Sequence, residues 1–548
     1  MSVKSSNFNK AILAMAISLS LAACGGSDTN EPIPTPPVPP PTPTPDPVVA
    51  PETSDSLSFV VTGSVVDSFS GEIVNGVNLI FRENGQVSAN IRDINGQSID
   101  TIVTQDGTFA FTLSEDVTVD DLIITAEANN FIDKSVSFDL SDTSSDIAIS
   151  IAMIANDANG VSVETVEEAI SDSQVAEEVV ATAGTEETSA EVVVPAGTQL
   201  QDSDGNPVSG TSVAIEVTVV DTTEDTSGDT DQASAADVLP AGLNTGITDT
   251  IEIPVGVANV EMVDDQGNEI ERFSNPISIT ISLPNDGTVQ AGNVYNLQSY
   301  DEDTGVWTDE ESDVIVGALD VQSNRFPASF EIDHLTFFAV TTPATACAND
   351  IVANFSGSAV PTTGLFFKAF STDASLDVYI PGGTTSATLL TAARAATYNI
   401  ISTATARVQV RDVSDFSWYD SSTEVAVCGA IPVTLTQPNT LINENFSITA
   451  TCSNDPNVVT NVDGAFVSYG YVDPNTMVTK TPIPAEEIGS GVYTLHDLVQ
   501  GSAYDVIIDP RISDVNGTVA GQVVTITADG SDDAFDFSVQ CSTGTGAG

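Results

Sequence analysis

Residues 58–67 read SFVVTGSVVD, and three stretches of the same texture follow: GVNLIF (76–81), DGTFAFTL (106–113) and DDLIITAEANNF (120–131). Apolar and small polar residues alternate, and Gly, Asn and Asp bound each run. A period of two cut short by turn formers predicts short antiparallel strands. The residue types agree, because Val, Ile and Thr pack well on a pleated surface and lose rotamer freedom in a helix. The same texture continues almost to the C-terminus. The chain is therefore predicted to be all-β, a tandem of antiparallel β-sandwich domains.

A chain of 548 residues implies several domains. It carries 78 acidic against 13 basic residues, and 41% of it is apolar, enough to build cores. No apolar run of spanning length follows the N-terminus. Nucleic acid is excluded as a partner, since binding it depends on basic residues that neutralise phosphates. The same charge repels anionic membrane surfaces. It suits a surface that stays hydrated in salty water, where salt screens the repulsion; specific cation binding is the alternative.

Residues 1–23 fit a secretory signal. Lys4 and Lys10 make its positive end, Ala11 to Leu21 its apolar stretch, and Ala22-Ala23 its small-residue cleavage site. The quartet Leu21-Ala22-Ala23-Cys24, followed by Gly-Gly-Ser, resembles the lipobox of bacterial lipoproteins. That resemblance implies cleavage before Cys24 and lipidation of it, and so a membrane partner through the lipid anchor. An ordinary secretory signal with a stray cysteine is the other reading. Several acyl chains anchor stably, at about 0.8 kcal/mol per buried methylene. Removing Lys4 and Lys10 leaves 11 basic against 78 acidic residues. Gly25 after the cysteine favours the outer membrane, by resemblance to enterobacterial sorting rules. From Pro32 to Pro51 proline alternates with Thr, Val and Asp. Proline fixes φ and removes a donor, so this run is an extended spacer reaching roughly 60 Å at about 3.1 Å per residue.

The first strand-rich region resembles carboxypeptidase regulatory-like domains, which are transthyretin-like β-sandwiches. The matching positions are Gly63, Val65 and Asp67, Gly76-Val77, Asp106-Gly107 with Phe109 and Phe111, and Ala126 to Phe131. The segment from Arg82 to Asp100 is longer than the family's connection. Such modules carry no catalytic residues, so the resemblance implies a scaffold or binding role. Residues 161–183, VSVETVEEAISDSQVAEEVVATA, change period: Val163, Val166 and Ile170, then Val175 and Val179, predict one short amphipathic connector helix. From about 190 to 342 the chain resembles the paired sandwich modules of ankyrin-type proteins and of cartilage intermediate layer proteins. The anchors are Pro195-Ala196-Gly197, the Asp204-Gly205 turn, Asp301 through Trp307, and His334 to Phe338. There the resemblance implies structural or adhesive work.

The last 200 residues contain a repeat. CAND at 347 matches CSND at 452; Tyr398 follows the first by 51 residues and Tyr504 the second by 52; each copy ends in an alternating strand with a cysteine, Cys428 or Cys541. Four cysteines allow three pairings. Equivalence of the copies favours Cys347–Cys428 and Cys452–Cys541, one bond per domain. Closing loops of this length stabilises each domain by roughly 4–5 kcal/mol in the chain-entropy model. An exported protein keeps such bonds. Metal ligation is the rival, with no CxxC and only two histidines to support it. The predicted organisation is a signal peptide (1–23), a lipidated cysteine and Pro-rich linker (24–55), a carboxypeptidase regulatory-like sandwich (56–155), a connector helix with a larger sandwich region (156–345), and two sandwich repeats (346–433 and 434–548).

Chemistry is sparse. His334 in IDHLTFFAV and His496 in YTLHDLV lie beside apolar strand residues, outside any nucleophile motif, and read as structural. With 78 acids, paired carboxylates carry no signal. Acidic turns cluster at 202–206, 221–231 and 301–313. Calcium takes six to eight oxygens, which such loops can supply. Asp202, Asp204 and Asn206, with Asp301 and Asp303, are the candidate calcium ligands; solvated Asx turns are the plain alternative. Trp307 and Trp418 are the only tryptophans for a sugar platform, and core packing is their plainer role. The mature chain keeps three lysines, Lys134, Lys368 and Lys480. Lys368 shares a strand face with Phe366 and Phe370, which suits a snorkelling lysine, or a Lys–Asn cross-link of the kind transthyretin-like surface modules carry.

The expectation is a non-catalytic lipoprotein, lipid-anchored in the outer membrane and facing periplasm or exterior. It acts in binding, adhesion or structural assembly, with a glycan or protein as ligand and no cofactor other than calcium. A calcium-dependent carbohydrate-binding protein is one alternative. A hydrolase with an unrecognised carboxylate site is another, and a pocket of converging carboxylates with a shifted pKa would favour it.

Overall fold

The computed structural model describes residues 46–544, apart from 105, 116, 186, 222–231, 248, 286, 288, 303, 312 and 373. Strands dominate, and they build four sandwiches in chain order, each with its own buried core. In the first, Val61–Asp67 buries Val61 and Val65, with Phe111 of the neighbouring strand, against Leu122 and Ile124 of the facing sheet. Its opening strand pairs in parallel with its closing strand Ile147–Ala155, Val61 opposite Ile147 and Asp67 opposite Met153. The third sandwich repeats this device with Ile351–Gly357 beside Ala430–Leu435, and the fourth with Leu441–Cys452 beside Asp533–Val539. All other strand pairs among the described residues are antiparallel, apart from one isolated bridge, Asn159 with Gln232. The second sandwich is built from one thirteen-stranded sheet around a core rich in Val and Ile.

Residues 161–183 are not helical. Val161–Ser171 is a strand running along Ser212–Val220 from Val161 opposite Val220 to Ala169 opposite Ser212. Asp172 and Ser173 both take positive φ, 53° and 60°, and turn the chain so that Ile170 opposes Val175. Val179–Gly184 is a further strand. Val166 and Ile170 satisfy a spacing of four and a spacing of two alike. The β-branched content and a two-residue left-handed turn, whose twist matches paired strands, decide for the hairpin. The two short helices lie elsewhere, at Ala235–Val238 and Ala392–Thr397.

The matched cysteines are not topological equivalents either. Cys347 and Cys428 stand just before the opening and closing strands of the third sandwich; Cys452 ends the opening strand of the fourth, and Cys541 follows its closing strand. Tyr398 closes the short helix, whereas Tyr504 lies inside a strand. What the two domains share is the parallel pairing of first and last strands. A cysteine at either shared end of such a pair has its partner beside it. The bonds are Cys347–Cys428 and Cys452–Cys541, with Cα atoms 5.5 and 5.3 Å apart.

The sandwiches are not beads on a string, because the first touches all the others. Its Ile132 and Ile154 join an apolar cluster with Val238, Leu239 and Phe337 of the second, and its Ser135 hydroxyl meets the Tyr300 hydroxyl at 3.1 Å. Its Ser137 hydroxyl and Asp120 carbonyl each accept from Arg394 of the third at 3.0 Å. Its Ala148 sits in the core of the fourth, and its Ser64 hydroxyl lies 2.6 Å from that of Thr481. Before entering the first sandwich, the chain runs along the fourth. Val48–Val49 pairs with Ser542–Thr543, and Arg511 donates to the Asp55 carbonyl at 2.8 Å. Gly464, with φ of +67°, leaves room for the Ser54 carbonyl where any Cβ would collide.

Candidate functional site

The site grows out of one sheet face. In Leu365–Ser371, Leu365, Phe367 and Ala369 point into the third core, so Phe366, Lys368 and Phe370 point out. In Thr405–Arg411, Ala406, Val408 and Val410 point in, leaving Arg407, Gln409 and Arg411 on the outer face. The register sets Phe366 opposite Arg411, Lys368 opposite Gln409 and Phe370 opposite Arg407; on the other flank Lys368 opposes Asp377. Opposed side chains stand about 5 Å apart, so aromatic rings and cations alternate like a checkerboard.

The first, second and fourth sandwiches cover this face incompletely and leave a cavity of about 440 Å³. That volume suits a small ligand. Ser68 and Gly71 come from the first sandwich, Asp237 from the second and Lys480 from the fourth; exposed Ser70, Asp415 and Glu424 mark the mouth. Four of the chain's 13 Lys and Arg residues line it: Lys368, Arg407, Arg411 and Lys480. In so acidic a chain, that gathering is the notable charge feature.

Every lysine among the described residues also reaches across a boundary between sandwiches. Lys134 of the first donates to the Asp237 carbonyl of the second. The Lys368 ammonium lies 3.5 Å from the Ser68 carbonyl and hydroxyl of the first. Lys480 donates to the Gly71 carbonyl at 3.2 Å and pairs with Asp415 of the third at 3.4 Å. The scarce ammonium groups thus stand where acidic domains approach one another. Lys368 faces Asp377 and Ser68, so the Lys–Asn cross-link weighed as the alternative to a snorkelling lysine has no place in these contacts.

The cavity's carboxylates are mostly committed. Asp67 accepts from Ser70 N–H at 2.7 Å and Oγ at 2.8 Å, and Asp237 from Ser234 N–H at 3.1 Å and Oγ at 2.8 Å. Asp412 accepts from Trp418 Nε1 at 2.9 Å and from the amides of Ser414 and Phe416 at 3.0 Å. Asp415 pairs with Arg411 at 2.9 Å as well as with Lys480. Asp377 differs: burial pushes its carboxyl up to about 6, and the facing Lys368 only partly opposes that. Burial likewise lowers Lys134, against the pull of Asp237.

The histidines, tryptophans and calcium-ligand candidates singled out in the sequence lie elsewhere. His334 meets Glu310 and Asp333 at 3.3 Å, and His496 meets Glu486 at 2.8 Å, in the second and fourth sandwiches. Asp202 accepts from the Asn206 amide at 2.7 Å and side chain at 3.2 Å, an exposed Asx turn that holds its carboxyl below the ordinary range. Asp204 is exposed beside it, and Asp301 accepts from the Thr304 amide at 2.9 Å. Asp303, Cys24 and residues 222–231 lie outside the described residues. Among the described residues, no group of three or more His, Cys, Asp or Glu is placed to hold a metal. Trp418 is buried; Trp307 packs between Tyr300 and Phe337, with ring centroids 5.3 and 6.0 Å away. Sequence reasoning missed Arg407 and Arg411, and named Lys480 without placing it at a site. The available signal was the rarity of cations: RVQVR (407–411) sets two arginines four apart on one strand face, and LFFKAF (365–370) sets one lysine among apolar residues.

A comparison with protein families finds no match for this chain, and neither does one with curated proteins. Solved structures similar to it include a streptococcal ancillary pilin, at 9% identity over 46% of this chain and 94% of that one, with a TM-score of 0.16. The TIE protein of Bacillus anthracis matches at 8% identity over 70% of this chain, with a TM-score of 0.13; this chain spans 58% of its length. The major pilin subunit BcpA of Bacillus cereus matches at 7% identity over 88% and 99% of the two chains, with a TM-score of 0.13. At TM-scores this low, the likeness bears on neither the architecture nor the function of this chain.

Proposed function

We propose a non-catalytic binding or assembly protein of the cell envelope, held in the outer membrane through lipid on Cys24. Its four sandwiches act as one interlocked module beyond a Pro-rich stalk. One observation carries this reading: the chain's apolar interfaces and its three mature lysines join the sandwiches to each other, which suits a fixed binding surface. Strands are committed to cores, so ligands meet loops and junctions.

The test uses protein starting at residue 46, which keeps the pairing of Val48–Val49. Glycan and envelope-protein arrays are probed with and without calcium. Saturable binding supports the proposal, and its loss on chelation favours the calcium-dependent carbohydrate-binding version through the turns at 202–206 and 301–303. Binding to neither array argues against it. For location, Cys24→Ser is expected to move the protein from the membrane fraction to the soluble one, with loss of the acylated N-terminal peptide in mass spectrometry. Unchanged fractionation would reject the lipid anchor.

One observation favours a second reading. Asp377 is a cavity carboxyl with a raised pKa, the feature expected of a hydrolase. Glycoside hydrolysis needs two carboxyls at a fixed separation, and the neighbouring acids hold local donors. Product formation from array glycans, abolished by Asp377→Asn, would establish this reading over the first.

A further inference from the structure

We propose that the cavity between the four sandwiches binds a neutral sugar, held by Asp377, Lys368 and Gln409 on the outer face of the third sandwich. The inference rests on the binding reading above and adds the place and class of the ligand. The register lays out a polar row across that face, Asp377 beside Lys368 beside Gln409, with Phe366 two residues to one side and Phe370 two residues to the other. Residues two apart on a strand lie roughly 6.5 Å from each other, so both rings border the row. A sugar ring has the matching make-up, hydroxyls around its edge and C–H faces that pack on aromatic rings.

Asp377 is the unmet group. It is half-buried, lines the cavity, and accepts no hydrogen bond among the described residues. Lys368 opposite acts on it through charge alone, its ammonium being turned to Ser68 at 3.5 Å. A half-buried carboxylate without donors is costly, and a pair of sugar hydroxyls satisfies both of its oxygens. Gln409 spends only Nε2, on Asp420 at 3.4 Å, and keeps its carbonyl oxygen for a further hydroxyl.

Charge selects against ions of either sign. The six carboxylates around the space repel an anion. A cation meets Lys368, Arg407, Arg411 and Lys480, and every carboxylate there except Asp377 already holds donors from the protein. A hydroxyl carries no charge and both donates and accepts, so it serves Asp377 and Lys368 together. At about 440 Å³ the cavity has room for a mono- or disaccharide. The ligand class covers a free sugar and the end of a neutral glycan alike.

Calorimetry on the chain from residue 46 tests this with the methyl glycosides of glucose, galactose, mannose and N-acetylglucosamine. Glucuronate and glucosamine serve as charged counterparts. At least one neutral glycoside is expected to bind saturably at millimolar concentration with EDTA present, and more tightly than either charged sugar. Binding of the matching trisaccharide too assigns the site to glycan ends, and binding of the monomer alone assigns it to free sugar. Asp377→Asn is expected to weaken binding about tenfold and Gln409→Ala about fivefold. Phe370→Ala, which removes a bordering ring, is expected to weaken it about fivefold. Should these variants fail to fold, bound sugar must still slow amide exchange in the wild-type protein at 68–71, the loop that Lys368 touches. No binding of any neutral glycoside, charged sugars binding as tightly, loss of binding on chelation, no effect of Asp377→Asn, or no slowed exchange would each overturn the proposal. Array binding that survives such a failure would leave the broader binding reading standing.

Discussion

Replacing Cys347 and Cys428 together by alanine is expected to lower the stability of the third sandwich by about 4.5 kcal/mol. The bond closes a loop of 81 residues, and releasing it returns that closure entropy to the unfolded chain. The estimate is a ceiling, since residual structure in the unfolded chain reduces it. The location adds a second effect. Cys347 is buried, and it leads into Ile351–Gly357, whose parallel partner starts directly after Cys428. Without the bond, that pair can fray from its common end. Trp418, buried in the same core, reports the loss as a red-shifted emission at lower denaturant. The Cys452–Cys541 bond closes 89 residues, and its double alanine variant should lose a similar amount without the tryptophan signal. An unchanged midpoint in both variants would show that the bonds contribute nothing to the folded chain.

Asp412→Ala is the second large effect, expected to cost on the order of 4 kcal/mol. Asp412 is buried and accepts from the Trp418 indole and from two amides of its own turn. Truncation strands three donors where water does not replace the carboxylate, and each stranded donor costs roughly 1–3 kcal/mol. The turn also makes the joint with the fourth sandwich, through Ser414 and the Tyr504 hydroxyl at 3.3 Å and Phe416 against Tyr471 at 5.3 Å. Denaturation, followed by Trp418, should therefore show the third sandwich unfolding at lower denaturant than in wild type. Asp412→Asn, with one oxygen left to accept, should recover about half of the loss. Burial outweighs the three donors and holds the Asp412 carboxyl above its ordinary range. A raised carboxyl keeps its proton more tightly in the fold than in the unfolded chain. Its contribution is full below the ordinary carboxylate value and is lost as pH rises through the raised one. The Asn variant lacks that slope. An alanine variant as stable as wild type would refute the role given to this carboxylate.

Strand content was legible because each sandwich keeps one face dry: Val61, Val65 and Phe111 announce themselves by alternation. The stretch 161–183 was ambiguous for a definite reason. Val166 and Ile170 fit both periods, and the left-handed turn at Asp172-Ser173 uses residue types common in any loop. The cysteine spacing pointed to bonds within each domain, yet the structural likeness of the two domains lies in strand order, which residue counting does not register. The candidate site was least legible. Phe366, Lys368 and Phe370 read as an outward face, and nothing local says that three other domains cover it. Only the rarity of lysine distinguishes the position, and rarity marks a residue without naming its neighbours.

The pairing of Val48–Val49 with Ser542–Thr543 sets an order of events. A ribosome releases the first segment long before the second exists. The Val48–Val49 segment can dock only after residues 542–543 have been made and the fourth sandwich has closed. A truncated or stalled product would leave that segment unpaired, a ready mark for proteases. In the finished molecule the same short ladder, with the Arg511 clasp beside it, ties residues 48–55 to the fourth sandwich before the chain enters the first.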